Sequence, residues 1–261
     1  MVKLFNTIRK QLVSENSSTH RTRNYLKYAI GEIILVVIGI LIALQINNWN
    51  ERRKDNIKEN HIVKSLYDEF IKNSQYLNER IISLSFNEQN SRHLLTYCNE
   101  NQTNISADSL LTLIVDALIG PGYSPKVSTF KRILNNDEFN MIRSDSLKEL
   151  LNHYSSVLEL TFLTNKMLFD DEEIIHAYSN DKFGGIAFGK KINDAQVPKP
   201  LFNGIMVKQP TFDPNDIVGD PVFESIVTKR LLYYGFTLNR LYELKVLNGD
   251  IIDFIDKHYR F

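Results

Sequence analysis

The chain has 261 residues, of which 43% are hydrophobic and 24% are charged, a composition that argues against intrinsic disorder. Lysine plus arginine and aspartate plus glutamate number 31 each, so the formal net charge is zero and does not draw the chain to nucleic acid. Cys98 is the only cysteine, which excludes an intrachain disulfide. We therefore expect a folded protein with no nucleic-acid partner, in the cytosol or in a periplasmic domain without disulfides.

The chain begins with a short basic segment, residues 1–24. In a helix over residues 2–13, one face carries Leu4, Phe5, Ile8 and Leu12, and the other carries Lys3, Arg9 and Lys10. We predict a basic amphipathic cytoplasmic segment that lies on the anionic inner leaflet. A short helix that packs on protein is the open alternative.

A strongly apolar segment follows, and we predict a transmembrane helix over residues 25–49. Residues 33–44 read IILVVIGILIAL and contain no polar side chain. A helix from Tyr28 to Trp49 spans about 33 Å at 1.5 Å per residue, close to the thickness of a bilayer core. Tyr25 and Tyr28 at one end and Trp49 at the other are placed like interfacial anchors. No A-x-A cleavage pattern follows, which indicates an uncleaved signal anchor.

The orientation of this helix depends on the flanking charges and on the length of the N-terminus. Six lysine and arginine residues precede Tyr28, and five lie between Arg52 and Lys64, so the positive-inside rule gives nearly a tie. A short N-terminus ahead of a signal anchor favours a cytoplasmic N-terminus. We therefore predict a periplasmic C-terminal domain, residues 50–261.

One face of the apolar helix combines a carboxylate with small residues. Glu32, Gly39 and Ala43 share this face, and the last two form a small-x-x-x-small pattern. One interpretation is helix–helix packing, in a homo-oligomer or against another membrane protein. The other is that Glu32 extends to the headgroups and pairs with Lys27 or Arg23.

Helical periodicity continues to the C-terminus, so we predict an all-α fold in which the membrane helix continues into an extramembrane bundle. The predicted helices run to about Ser85, over residues 108–117 and 128–134, from Ser146 to Tyr178, and from Pro221 to about Tyr259. Ser146 and Glu149 resemble a capping box, and Pro221 suits a first helical position after Asp220. Gly249 is predicted to interrupt the last helix.

Residues 180–220 differ from the rest of the domain, because glycine and proline recur there without helical periodicity. We predict a long irregular insertion with one short hairpin at residues 204–208. Long irregular segments in compact domains often carry function, and this one is a candidate partner surface.

The stretch YAIGEIILVVIGILIALQINNWNE, from Tyr28 to Glu51, resembles the signature of an uncharacterised bacterial family of small single-pass membrane proteins, a domain of unknown function. The resemblance extends to the basic N-terminus and, more loosely, to residues 129–154. It implies a single pass through the bacterial inner membrane. It implies no activity, because the family has none known.

Three nucleotide or metal motifs are incomplete. Residues 184–191 nearly match a P-loop, but Lys191 occupies the position of the magnesium-binding hydroxyl. Glu173 and His176 form half of a di-iron pattern without a second copy, and the acidic stretch 170–173 is predicted to be solvated. Residues 213–220 fail the calcium-loop pattern and suit a helix cap. We predict no metal and no cofactor.

The remaining candidates are a cysteine and the C-terminal aromatic residues. Cys98 and His93 do not share a helical face well, so we predict a buried, inert thiol. Aromatic residues crowd the stretch from Tyr233 to Phe261, where a core or interface role is expected and a ligand pocket in the bundle is the alternative.

No catalytic constellation is evident, so the sequence favours a non-enzymatic, membrane-anchored interaction, scaffold or sensor subunit whose first partner is the lipid bilayer. One alternative is a proton-coupled stator-like subunit in which Glu32 carries the proton. The other is an envelope hydrolase, which requires a carboxylate or histidine pair that the sequence does not reveal.

Overall fold

The computed structural model describes residues 18–100, 102–118, 125–184 and 211–261, with the backbone alone described for residues 18–25. Every regular element in these ranges is an α-helix, which confirms the all-α prediction. The helices are α1 (Ser18–Glu100), α2 (Ala107–Leu118), α3 (Ser128–Leu134), α4 (Glu138–Met141), α5 (Asp145–Phe183), α6 (Pro214–Val218) and α7 (Pro221–His258).

The chain divides into two compact units, Met1–Lys58 and Glu59–Phe261. In the first unit the described residues belong to α1, which contains the apolar stretch. The predicted continuation of the apolar helix is confirmed, since α1 is a single helix that ends only at Glu100. The residues of α1 from Glu59 onward belong to the second unit.

The second unit is a helical bundle built on three long helices. α5 and α7 run antiparallel, because Leu168 contacts Arg230 and Tyr178 contacts Asp220, so residue numbers rise on one helix as they fall on the other. α1 and α7 are also antiparallel, because Asn248 donates to the carbonyl of Phe70 while Tyr259, just after α7, donates to Glu59, farther toward the start of α1.

The segment from α2 to α4 runs back along α1 and forms a fourth, broken element. Three contacts show its direction. Ser91 donates to the carbonyl of Ala117, Asn73 donates to the carbonyl of Lys126, and Glu59 accepts from the backbone N–H of Arg143. Residue numbers fall along α1 from Ser91 to Glu59 while they rise along this segment from Ala117 to Arg143, so the segment is antiparallel to α1. Successive long elements in the described part of the bundle therefore alternate in direction, which is up-and-down connectivity.

Two hydrophobic clusters form the core of the bundle. The first contains an aromatic group in which Phe70, Phe130 and Tyr154 meet edge to face, with centroids 4.9–5.9 Å apart. The second joins residues of α1, α2, α5, α6 and α7 around Leu94, Leu110 and Phe223, each 0% exposed. Full burial of each such side chain contributes about 1.5–3 kcal/mol, so the apolar faces of the helices hold the bundle together.

The ends of the long helices differ from the prediction in three places. α5 begins at Asp145 with Ser144 as its N-cap, whose hydroxyl accepts from the N–H of Leu147, so the capping box predicted at Ser146 is wrong by two residues. α5 continues to Phe183 and ends at Gly184, whose φ of 54° suits glycine. α7 passes through Gly249 without interruption.

The start of α7 is as predicted. Asp220 is the N-cap and accepts from the N–H of Val222, and Pro221 takes the first turn, where its missing N–H costs nothing. Asp213 caps α6 in the same way, with Pro214 following it. The cap role predicted within residues 213–220 is therefore confirmed.

The predicted insertion, residues 180–220, is only partly described. Its described ends are largely helical, because α5 runs to Phe183 and α6 covers Pro214–Val218, so the predicted irregularity is wrong at those ends. Residues 185–210, which include the hairpin predicted at 204–208, lie outside the described residues. Residues 1–17, which include the predicted basic amphipathic helix, also lie outside them.

Candidate functional site

The apolar stretch of α1 is exposed along its whole length. From Ile33 to Leu44 the large hydrophobic side chains are between 46% and 63% exposed. The most apolar window of α1 is long and apolar enough to cross a membrane, and none of it is buried. A core helix of a soluble protein with the same composition would be buried within its own fold, and this one is not.

The structure places Glu32, Gly39 and Ala43 on one face of α1, as the spacing predicts. In a helix of 3.6 residues per turn, positions seven and eleven residues apart lie within about 20° of each other. All three residues are exposed. A methyl group added at Gly39 would meet no described atom within 4 Å, so the backbone is open to close approach here.

The predicted interfacial anchors stand about 30 Å apart along the axis of α1. Tyr28 is half-buried and Trp49 is 65% exposed, and 21 residues of helix separate them at about 1.5 Å each. The side chain of Tyr25 lies outside the described residues. Around Trp49 the surface becomes polar, and Asn47 donates a hydrogen bond of 3.2 Å to Glu51.

In the bundle, the most prominent polar group is a buried arginine on α7. Arg230 is 1% exposed. It donates to the hydroxyl of Tyr234 at 3.1 Å, to the carbonyl of Leu168 at 2.5 Å, and to the carboxylate of Glu172 at 3.4 Å. Tyr234 then donates to the carbonyl of Ala117 at 2.7 Å. This network ties α5, α7 and the C-terminal end of α2 together.

A second buried arginine lies close to the first. Arg80 of α1 is 5% exposed, and its Nε and Nη1 atoms have no hydrogen-bond partner among the described residues. Burial lowers the pKa of Arg80 and the charge of Arg230 lowers it further, while Tyr234, Tyr76 and Glu172 act in the opposite direction. Through the hydroxyl of Tyr234, Arg230 is linked to the carbonyl of Ala117 at the C-terminal end of α2, where the helix dipole favours positive charge.

Buried acidic and amide side chains of α1 hold the broken fourth element. Glu69 accepts from the N–H groups of Thr129 and Phe130 at 2.8 Å each, and so satisfies the first turn of α3. Asn73 donates to the carbonyl of Lys126 at 2.9 Å. These groups are buried because they replace hydrogen bonds that a continuous helix would make itself.

The acidic stretch 170–173 is not uniformly solvated, so that prediction is wrong for its central residues. Asp171 is 3% exposed and its Oδ1 lies 2.8 Å from Nζ of Lys229. Glu172 pairs with the buried Arg230. Asp170, by contrast, is exposed and pairs with Lys166 at 2.5 Å.

The remaining candidates give no sign of catalysis. Cys98 is 2% exposed, which confirms the predicted burial of the thiol, and burial raises the pKa of this thiol to about 11, which disfavours the reactive thiolate. His93 is exposed. Within the described ranges no three histidine, cysteine or carboxylate side chains come together in a way that could hold a metal ion.

The C-terminal aromatic residues have structural roles. Tyr234 lies in the core, and Tyr259 donates to Glu59 at 3.0 Å, a bond that together with burial raises the pKa of Tyr259. Phe254 stacks on His258, while Phe236 and Tyr242 are about half exposed. The core or interface role expected for these residues therefore fits, and they do not converge on one pocket.

Sequence reasoning missed Arg80 and Arg230. A signal was present, because each charged residue stands on the apolar face of its helix. Arg80 follows Leu77 by three residues and precedes Leu84 by four, and Arg230 lies between Val227 and Tyr234 with the same spacing. A charged residue on an apolar face predicts a buried polar group with dedicated partners.

Comparison with known proteins gives one match. Residues 32–106 match a family of unknown function, DUF6090. The matched part covers the exposed apolar stretch and the rest of α1, and agrees with the predicted resemblance to an uncharacterised family. No curated protein and no solved structure matches the chain. The chain is thus similar, over its longest helix, to a family whose function is not known.

Proposed function

We propose that the chain is a membrane-anchored, non-enzymatic interaction, scaffold or sensor subunit. It crosses the bacterial inner membrane once, with its N-terminus in the cytoplasm and residues 50–261 in the periplasm. The observation that carries this proposal is the exposure of the apolar stretch of α1, which is unburied within the described structure.

The physical argument for the anchor is the cost of leaving this surface in water. Each large side chain from Ile33 to Leu44 is about half exposed, and soluble monomers rarely expose a continuous apolar patch of this size. A helix satisfies all its own backbone hydrogen bonds, so it is also a structure that lipid tolerates. Lipid is therefore the environment that removes the cost.

The argument for a non-enzymatic role is the use of the buried polar groups. Glu59, Glu69 and Arg230 all bind backbone atoms of neighbouring segments. Burial raises the pKa of the Cys98 thiol, which disfavours the thiolate that a nucleophilic cysteine needs. These groups therefore stabilise the bundle and are not placed to act on a substrate.

The argument for assembly is the face of α1 that carries Glu32, Gly39 and Ala43. A carboxylate at the centre of a bilayer costs about 2.5–3.5 kcal/mol and less near the interface. A second helix against this face shields Glu32 from lipid and uses the close approach that Gly39 permits. We infer that α1 packs against a second copy of itself.

Membrane attachment is tested by extraction of membranes with alkaline carbonate. An anchored chain stays in the pellet at its full length. Release into the supernatant would contradict the anchor, and a shortened chain that begins after Trp49 would identify residues 25–49 as a cleaved signal sequence.

Helix packing is tested by disulfide crosslinking in membranes, in a Cys98→Ala background. We expect covalent dimers from Gly39→Cys and few from Leu41→Cys, which lies about 200° around the helix. Equal crosslinking at both positions would contradict a packing face.

Orientation is tested by labelling Phe261→Cys, at an exposed position, with an impermeant maleimide on spheroplasts. Labelling only after lysis would reverse the proposed topology.

Glu32→Gln separates a packing role from proton transfer. A scaffold or sensor keeps its crosslinked dimer and its cellular function with glutamine at this position. A proton-coupled subunit keeps the dimer and loses its function.

A further inference from the structure

A group of basic side chains, called here the basic ring, follows the apolar stretch of α1. It consists of four exposed residues, Arg52, Arg53, Lys54 and Lys58. Two exposed carboxylates, Glu51 and Asp55, stand in the same segment, so four positive charges against two negative ones leave an excess of two positive charges. The next carboxylate, Glu59, is buried in the bundle and accepts from Arg143 and Tyr259.

The four basic side chains surround the helix and do not form a stripe. At about 100° per residue, positions 52, 53, 54 and 58 stand at about 0°, 100°, 200° and 240° around the axis. Glu51 and Asp55 take the remaining sector, at about 260–300°. A second helix packs against one face only, so most of the basic ring stays open to the surrounding medium.

Along the axis, the basic ring lies where the proposed membrane span ends. It begins about 4.5 Å beyond the predicted interfacial anchor Trp49 and ends about 13.5 Å beyond it, at about 1.5 Å per residue. The headgroup layer on each side of a bilayer is about 5–8 Å thick. The Cα–Cβ bonds of a helix tilt toward its N-terminus, so these long side chains lean back toward the headgroups and extend their charged ends into that layer.

We propose that the basic ring binds anionic phospholipids through their phosphate groups, so that α1 gathers these lipids around it. The planar guanidinium groups of Arg52 and Arg53 suit bidentate contacts with a phosphate, and the ammonium groups of Lys54 and Lys58 act as point charges. This inference names the class of lipid that the anchor selects, and it rests on the proposed membrane anchor.

Charge complementarity favours an anionic lipid over a zwitterionic one. A zwitterionic headgroup carries an ammonium group beside its phosphate, so it leaves the two excess positive charges of the segment uncompensated. An anionic headgroup adds one net negative charge, and two such lipids neutralise the segment. Lysine and arginine residues next to a membrane are attracted to anionic lipids in this way, and salt screens the attraction.

The test uses the fluorescence of Trp49, which is the only tryptophan of the chain and is 65% exposed. The full-length chain is reconstituted in phosphatidylcholine vesicles that contain, at one mole fraction, either brominated phosphatidylglycerol or brominated phosphatidylcholine. Bromine quenches tryptophan at short range, so quenching reports which lipid lies beside Trp49. We expect the relative binding constant to favour phosphatidylglycerol by at least about fivefold, the factor for one uncompensated cation beside an anionic surface. High ionic strength should reduce this preference.

Two quadruple variants that lose the same charge locate the effect. The ring variant combines Arg52→Gln, Arg53→Gln, Lys54→Gln and Lys58→Gln. The control variant removes four exposed cations of the bundle through Lys72→Gln, Arg92→Gln, Lys166→Gln and Lys245→Gln. We expect both lipids to quench the ring variant equally, and the control variant to keep the preference of the parent chain. Circular dichroism confirms that both variants are helical.

The proposal is overturned if the two lipids quench the parent chain equally, or if the ring variant keeps the full preference. Inorganic phosphate is compared with sodium chloride at equal ionic strength. A larger loss of preference with phosphate would identify free phosphate as the ligand and would also overturn the proposal. If neither lipid quenches Trp49, the anchor is contradicted and the lipid site with it, whereas equal quenching contradicts the lipid site alone.

Discussion

The apolar stretch of α1 and the bundle solve the same problem, the burial of apolar side chains, in opposite ways. In the bundle, apolar residues recur on one face of each helix and pack on each other, so that Leu66, Leu77 and Leu84 are 0% exposed. From Ile33 to Leu44 the apolar residues cover all faces and are all exposed. A helix that is apolar all round needs an apolar surrounding on every side, which lipid supplies and a small bundle does not.

The polar groups of the two regions differ in the same way. The bundle buries Arg230 and Glu69 and gives them partners on other segments. The apolar stretch contains no polar side chain, and Glu32 stands at its edge. A protein core can hold a charged side chain when neighbouring segments supply its hydrogen-bond and ion-pair partners. A lipid core supplies no such partners, so a membrane-spanning stretch favours uncharged side chains. The following predictions test this contrast, from the largest expected effect to the smallest.

Charges within the apolar stretch are expected to have the largest effect. Val37→Arg together with Leu41→Arg places two charges near the middle of the stretch, at a cost of about 2.5–3.5 kcal/mol each in lipid. We expect most of the chain to be released from membranes by carbonate. The control is Ile82→Arg together with Val246→Arg, at exposed positions of the bundle, which should remain in the pellet. Equal retention of both double variants would contradict the contrast.

Loss of the buried arginine is expected to destabilise the bundle strongly. Arg230→Ala leaves Glu172 without this cation and removes the side-chain donor that the carbonyl of Leu168 has in addition to its helical N–H partner. Breaking a buried pair on one side costs about 3–5 kcal/mol in the free energy of unfolding, measured by urea denaturation of the detergent-solubilised chain. Arg240→Ala removes a half-exposed pair with Glu243 and should cost at most about 1 kcal/mol. Similar losses for the two variants would argue against the network.

Cys98 links the stability of the bundle to pH. Burial raises the pKa of its thiol from 9.0 to about 11, so the folded state favours the neutral thiol. The contribution of the buried neutral thiol to the free energy of unfolding is complete below pH 9. It is lost as the pH rises toward 11, because the thiol of the unfolded chain releases its proton at a lower pH than the thiol of the folded chain. We expect Cys98→Ala to show a shallower loss of stability between pH 9 and 11 than the parent chain.

The reactivity of the same thiol supplies a second measurement. At pH 8 the native thiol should react slowly with a disulfide reagent, and unfolding in urea should restore the rate of a free cysteine. Fast reaction of the native chain would mean that Cys98 is not buried.

The smallest effect is expected from the carboxylate that caps α3. Glu69→Gln keeps the shape of the side chain but replaces two charge-assisted bonds to the N–H groups of Thr129 and Phe130 with neutral ones. We expect a loss of about 1–2 kcal/mol in the free energy of unfolding. Glu79→Gln, on the exposed side of α1, should change it by less than about 0.5 kcal/mol. A larger loss at Glu79 than at Glu69 would contradict the cap.

Much of the fold followed from local patterns. The all-α class, the helix over Ser128–Leu134, and the start of α7 at Pro221 were predicted, because periodicity and caps act over a few residues. The cap of α5 was misplaced because Ser144 and Ser146 are both compatible with a helix start, and the choice depends on which hydroxyl meets a free N–H. The uninterrupted passage of α7 through Gly249 reflects packing around Asn248 and Ile251, which outweighs the low helix propensity of glycine.

The sequence by itself determined the helical class, the apolar stretch and the shared face of Glu32, Gly39 and Ala43, because all three depend on spacing along one helix. Only the tertiary structure decided that Arg230 is buried, that Glu69 caps α3 and that the buried Asp171 pairs with Lys229. Each of these depends on partners 58 to 62 residues away along the chain. The physical reason is that burial and hydrogen bonding across the bundle depend on which helix faces meet, which no local pattern encodes.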